Sequence, residues 1–225
     1  MVRFDIITIF PEVFGSYFNQ SILQRAQKKG LIKVFLHNLR DYTTDKHKTV
    51  DDSPYGGGPG MVFKIEPVYQ AVKKLKSKVK NKKSKIKTRV VLFSTRGKKF
   101  DEKTARRFLQ YQQLILVCGR YEGVDERVAK YVADEEISVG DFVLAGGELA
   151  AMMVVEAVAR FIPGVLGKKE SLESIKGSYP VYTRPEVFSP RRGVKWSVPK
   201  VLLSGDHKKI EQWRKIRRPI PKPED

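Results

Sequence analysis

Two apolar runs, each closed by a glycine loop and followed by a helical stretch, constrain this chain more than any other feature. Both lie within Leu114–Phe161. The first run, Leu114–Cys118, has the length and composition of a buried strand. Gly119-Arg120-Tyr121-Glu122-Gly123 follows, and Val124–Tyr131 reads as a short helix. The second run, Glu136–Leu144, reads as another strand and ends in Ala145-Gly146-Gly147. A long helix is predicted from Glu148 to about Phe161, stopped by Pro163 and Gly164. Open α/β sheets bind ligands beyond the carboxyl ends of their strands. Glycine at such ends lets backbone approach a ligand closely or take positive φ. The pattern therefore points to a ligand site on the two loops, with ordinary tight turns as the plainer alternative.

The rest of the chain extends the same architecture. Arg3–Phe10 is predicted as a strand, Ser21–Lys29 as a helix with Ile22, Leu23 and Ala26 on one face, and Leu31–Leu39 as a second strand. This β-α-β opening favours a parallel sheet covered by helices. Asn38–Val50 is polar and reads as loop. Asp51–Gly60 holds three successive glycines between Pro54 and Pro59, which neither helix nor strand tolerates. It lacks the Gly-Lys-Ser/Thr ending of a phosphate-binding P-loop. Glu66–Leu75 is predicted helical, and Arg89–Phe93 as a strand ending in the loop Ser94–Gly97. Asp101 is placed to cap a helix running to Tyr111. No Gly-x-Gly-x-x-Gly follows a strand, so a Rossmann dinucleotide site lacks support.

Charge narrows the partners. The 225 residues carry a formal net charge of +19, with a pI near 9.9. Such a balance suits a polyanion, nucleic acid first and an anionic membrane surface second. Nine of the fifteen residues in Lys73–Lys87 are lysine. That run reads as a solvated, mobile loop that adds salt-sensitive attraction to phosphates. No apolar stretch is long enough to span a bilayer, and the N-terminus, with Asp5 inside its apolar run, reads as a first strand rather than a signal peptide. Cys118 is the single cysteine, which fits a reducing compartment, and its place at the end of an apolar run predicts a buried, inert thiol. One cysteine and three scattered histidines, His37, His47 and His207, make a zinc site improbable, and no metal ligands are assigned. Gly167–Ser178 is polar and reads as a linker; Tyr179–Asp225 reads as a small basic domain with a helix capped near Ser204 or Asp206 and running through Trp213.

The residues themselves go further than their spacing. LVCGRYEGVDER and EISVGDFVLAGGEL resemble the bacterial tRNA (guanine-N1)-methyltransferase family, TrmD, of the SPOUT class. VDDSPYGGGPGM, RFIPGVL, YTRPEV and VPKVLLSGDH do so too, in the family's order and across most of the chain. The resemblance implies an α/β fold with a SPOUT-type parallel sheet, a C-terminal trefoil knot and a small helical C-terminal domain. General topology rules make a knot very improbable, and periodicity does not point to one. The implied division is a methyltransferase domain over residues 1–164, a linker over 165–178 and a tRNA-binding domain over 179–225.

The resemblance also implies a chemistry: methyl transfer from S-adenosylmethionine to N1 of the guanosine at position 37 of tRNA. The donor pocket would be formed by Thr95, Gly119, Glu122, Gly123, Val139, Gly140, Asp141, Phe142, Val143, Leu144, Gly146, Gly147 and Ala150. Guanine N1 carries a proton at neutral pH, so a carboxylate must accept it, and a cation near O6 would stabilise charge developing on the ring. Arg160 matches the family's guanine-engaging arginine, and Asp52 matches the second aspartate of the glycine-loop motif. The family's catalytic Asp precedes a Ser in the linker; here the linker is shorter and the nearest match is Glu173-Ser174, which makes Glu173 the expected base. Thr95, Phe142, Ala150 and Val181 stand where family members usually have Pro, Tyr, Pro and often His. The implied assembly is a cytoplasmic homodimer whose sites are shared between subunits, with tRNA as partner, no membrane association and any Mg2+ only loosely held. Two other functions stay open: an RNA-binding protein that has kept the fold and lost the base, and a SPOUT methyltransferase acting on ribosomal RNA.

Overall fold

The computed structural model describes residues 1–79, 86–167 and 178–217. The chain divides into two compact units, Met1–Gly167 and Lys168–Asp225.

The first unit is built on five parallel strands. They are β1 (Val2–Thr8), β2 (Ile32–Asn38), β5 (Thr88–Lys99), β6 (Gln113–Val117) and β7 (Glu135–Ser138), in the order β2-β1-β6-β5-β7. Two short strands between them, β3 (Asp51–Asp52) and β4 (Val62–Phe63), pair antiparallel. The helices are α1 (Gly15–Phe18), α2 (Ser21–Lys28), α3 (Ile65–Val79), α4 (Glu102–Phe108), α5 (Glu126–Tyr131) and α6 (Glu148–Arg160). Successive strand residues point to opposite faces. In β6, Leu114 and Leu116 join one core with Leu23 of α2, Ala105 and Phe108 of α4, and Val154 and Val158 of α6. Ile115 and Val117 join a second core with Val68, Val72 and Leu75 of α3 and Val128 of α5. With both faces covered, the strand reads as an unbroken apolar run. Each of its fully buried Leu and Ile side chains contributes about 2 kcal/mol.

One polar cluster lies within this sheet. Asp5 in β1 is fully buried. It accepts hydrogen bonds from Arg3 at 2.6 and 2.7 Å and from Gln113 Nε2 at 2.8 Å, and lies 2.8 Å from His37 Nε2. A buried carboxylate needs such partners, because burial without them is costly.

Three elements differ from the sequence expectation. β5 does not stop at Phe93 but runs on through Ser94–Gly97 to Lys99, because this polar stretch pairs with β7 across a bulge in which both Phe93 and Lys98 face Ile137. β7 is shorter than expected and ends at Ser138, so the apolar residues after it are loop rather than strand. α3 carries the first part of the lysine run in helical form as far as Val79. Long lysine stems favour helix, and the apolar face of α3 holds it on the sheet. Residues 80–85 of that run lie outside the described residues.

The second unit contains a hairpin that the sequence reading did not foresee. β8 (Val187–Arg191) pairs antiparallel with β9 (Val194–Ser197), with Phe188 opposite Trp196. Gly193 takes φ +81 in the turn. Two helices follow, α7 (Lys200–Leu203) and α8 (His207–Ile216). Asp206 caps α8 by accepting from Lys209 N at 3.1 Å. Trp213 of α8 meets the Tyr182 ring edge-on, and the Arg217 guanidinium lies 4.5 Å from the Trp213 ring centre.

Candidate active site

The middle of β5, at Leu92–Arg96, and the carboxyl ends of β6 and β7 open onto a cleft of about 540 Å3. The two glycine loops form its rim, and they touch. Gly147 N donates to Gly119 O at 3.0 Å, and Arg120 and Gly146 form an antiparallel bridge. A Cβ on Gly147 would sit 2.8 Å from the Cα of Cys118, so only glycine lets the second loop lie this close to the end of β6. α6 starts at the next residue. Its first side chain, Glu148, is buried and accepts from Thr8 Oγ1 at 2.8 Å and from Arg120 Nε at 3.1 Å.

The loop after β7 supplies an apolar wall. Phe142 is 54 % exposed and Val143 83 % exposed, both facing the open cleft rather than a core. Opposite lies a charged group. Arg96 in β5 donates through Nε to Glu136 at 3.1 Å and through Nη2 to Glu126. Hydrogen bonds from Arg96 to Glu126, then to Glu136, raise the affinity of its guanidinium for the proton. Cys118, below the first loop, has its thiol pushed well above the usual range by burial and then by the nearby Glu148 charge, which makes it a poor nucleophile.

The triple-glycine loop lies against the lip of this cleft. Glu122 N donates to Met61 O at 3.1 Å and Phe63 N to Gly123 O at 3.0 Å. Gly60 takes φ +74, a conformation that favours glycine, and a Cβ there would displace the Glu122 side chain. Asp52, in β3, is largely exposed; it accepts from Ser53 N at 2.9 Å and lies 3.6 Å from Lys64 Nζ.

Eleven of the residues assigned from sequence line one cleft: Thr95, Gly119, Glu122, Gly123, Val139, Phe142, Val143, Leu144, Gly146, Gly147 and Ala150. Gly140 and Asp141 do not line it. Gly140 O accepts from Ser138 Oγ at 3.0 Å, and Asp141 pairs with Lys99 at 2.5 Å. Arg160 does not line it either. It closes α6, roughly 18 Å along the helix from Glu148 at ~1.5 Å rise per residue. Asp52 is likewise absent from the cleft wall, and Glu173 lies outside the described residues. Sequence reasoning missed Arg96, Glu126 and Glu136, which join three elements in space. It also missed Thr8, 140 residues from its partner Glu148. Among the described residues no group of three or more His, Cys, Asp or Glu is placed to hold a metal ion.

Known proteins resemble this chain along nearly its whole length. The family model described as tRNA (Guanine-1)-methyltransferase TrmD matches residues 2–220. A tRNA (guanine-N(1)-)-methyltransferase of Dehalococcoides mccartyi is 47% identical over 232 residues, covering all of this chain and 90% of the relative. One from Dictyoglomus turgidum is 51% identical over 220 residues, covering 96% of this chain and 84% of the relative. The crystal structure of tRNA (m1G37) methyltransferase from Aquifex aeolicus superposes with a TM-score of 0.77 at 41% identity, over 94% of this chain and 87% of that one. With a match along nearly its whole length and the parallel sheet of a solved member, the chain belongs to the TrmD family of tRNA (guanine-1)-methyltransferases.

Proposed function

We propose that this protein methylates N1 of the guanosine at position 37 of tRNA, with S-adenosylmethionine bound in the cleft between the two glycine loops. The observation that carries the reading is the contact of those loops over the middle of β5 and the ends of β6 and β7. A cleft of this volume lies in the range of small-molecule sites. Its fit to the donor rests on three features. The Phe142 and Val143 side chains offer apolar surface to an adenine ring, the glycine backbones offer hydrogen-bonding groups at close range, and Glu122 offers a carboxylate to a cationic donor, Glu126 and Glu136 being paired with Arg96. When bound, the donor supplies a methyl group on a positively charged sulfonium.

The chain has three tasks in that reaction. The loops hold the donor so that guanine N1 approaches in line, which replaces a bimolecular encounter by an oriented one. A carboxylate, Glu173 by its place before Ser174, accepts the N1 proton. Arg160 stabilises negative charge developing toward O6. Asp52 sits on the glycine loop that shapes the RNA side of the cleft. Arg160 does not line the cleft of its own chain, which supports a homodimer in which one subunit's Arg160 completes its partner's site. The return of the chain from edge strand β7 to the end of central β6, before α6 packs against α2 and α4, supports the trefoil knot. The hairpin and helices of the second unit, with Arg191, Arg192, Lys195 and Arg214, suit a tRNA-binding domain. Any Mg2+ would arrive with the RNA rather than sit in a protein cage, and the expected compartment is the cytoplasm.

The test is calorimetry with S-adenosylmethionine combined with transfer of a labelled methyl group to tRNA and to ribosomal RNA. Donor binding with label in tRNA alone is the expected result. Label in ribosomal RNA alone, or RNA binding without transfer, would overturn the reading.

A further inference from the structure

The cleft rim is held by a buried charge. Glu148 is 4 % exposed, and its two carboxylate oxygens are committed in different directions. Oε1 accepts from Thr8 at the end of β1, and Oε2 accepts from Arg120 in the first glycine loop. Thr8 Oγ1 in turn accepts from Phe10 N at 3.0 Å, and the Arg120 guanidinium lies 4.5 Å from the Phe10 ring centre. These contacts close a ring from β1 through α6 to the β6 loop and back. Glu148 itself follows Gly146-Gly147 directly, so it anchors the second loop by covalent connection and the first by its ion pair. A Cβ on Gly146 would meet Glu148 Oε2 at 2.5 Å and Arg120 Nε at 2.6 Å, so a side chain there would push into this ion pair.

Burying a carboxylate is expensive unless it is paired and hydrogen-bonded. A packed apolar residue would seal this position at lower cost. What the pair adds is direction: a charge-assisted bond fixes where the Arg120 loop stands relative to the Gly146 loop. We propose that Glu148 is a positioning residue for methyl-donor binding, acting through Arg120 to hold the two glycine loops at the spacing the donor requires. This rests on the assignment of the cleft as the donor site. Glu148 itself does not line the cleft, whereas Arg120 does.

The experiment is a cycle of Glu148→Gln, Arg120→Gln and the double variant, read by calorimetry with S-adenosylmethionine and by steady-state kinetics on tRNA. Glutamine keeps the shape of Glu148 and can still reach Thr8, so the fold is retained; Thr8→Val serves as a second, milder cut of the same ring. Each single Gln variant should weaken donor binding about tenfold, and the double should be no weaker than the worse single, as expected for partners in one interaction. The Michaelis constant for the donor should rise in parallel while that for tRNA stays as in the wild type. Unchanged donor affinity with a lowered melting temperature would overturn the proposal and leave Glu148 a purely structural group. Fully additive losses would also overturn it. Absence of donor binding by the wild-type protein would instead overturn the cleft assignment, and this inference with it.

Discussion

At the scale of single residues, Asp5 shows how a charge survives in the centre of a sheet. Burial pushes its carboxyl up, but hydrogen bonds from His37, Arg3 and Gln113 outweigh burial and hold it at about 2, below the usual carboxylate range. Since the folded value is depressed, its stabilisation is complete above the unfolded value and is lost as pH falls toward 2. Asp5→Asn should therefore cost about 2 kcal/mol near neutral pH. Thermal melts of both proteins between pH 7 and about 2 check this: the gap between them should narrow as the wild-type carboxylate protonates. None of this was legible beforehand, because Asp5 looked like a lone charge in an apolar run, and its partners come from β1, β2 and β6. The glycines of the site were legible for the opposite reason. Glycine beside strand ends signals a backbone constraint whatever it touches: Gly60 takes a positive φ, and Gly147 lies too close to the Cα of Cys118 to carry a side chain.

At the scale of elements, hydrophobicity located the strands but misplaced their ends. Val139–Leu144 looks like more of β7, yet Phe142 and Val143 face an open cleft. Apolar residues on a ligand wall and in a buried strand have the same composition. Ser94–Lys99 failed the other way, being polar but held extended by pairing with β7. The β8–β9 hairpin could have been found, since short β-prone runs flank Pro190-Arg191-Arg192-Gly193. Between Val187 and Ser197 it carries Arg191, Arg192 and Lys195, no acidic residue, and the exposed rings of Phe188 and Trp196. Such a combination suits phosphates and unstacked bases. Replacing the three basic residues by Gln should reduce the slope of log K for tRNA against log salt by about 2 to 3. Titrations at several salt concentrations measure it. An unchanged slope would remove the hairpin from the RNA surface.

At the scale of the whole molecule, the cleft of one chain is not lined by its own Arg160. The cleft is formed within the first unit, while Arg160 stands at the far end of α6. If sites are shared between subunits, Arg160→Ala and Glu173→Gln will each be inactive alone, yet co-expression will restore activity. Roughly a quarter of wild-type turnover is expected, since half the dimers are mixed and each mixed dimer keeps one intact site. No recovery would mean that both residues of a site come from the same chain, and an active Glu173→Gln variant would mean that Glu173 is not the base. The parallel sheet and glycine loops followed from the pattern of residues, whereas the proposed knot has no such signature, because no local preference encodes how a chain threads itself. The most direct test of the central claim is nucleoside analysis of tRNA after reaction with the purified protein and S-adenosylmethionine. Expected is 1-methylguanosine, mapped to position 37, and none in a tRNA carrying adenosine there. Methylation at another atom or position, or the same yield from the adenosine-37 tRNA, would contradict it.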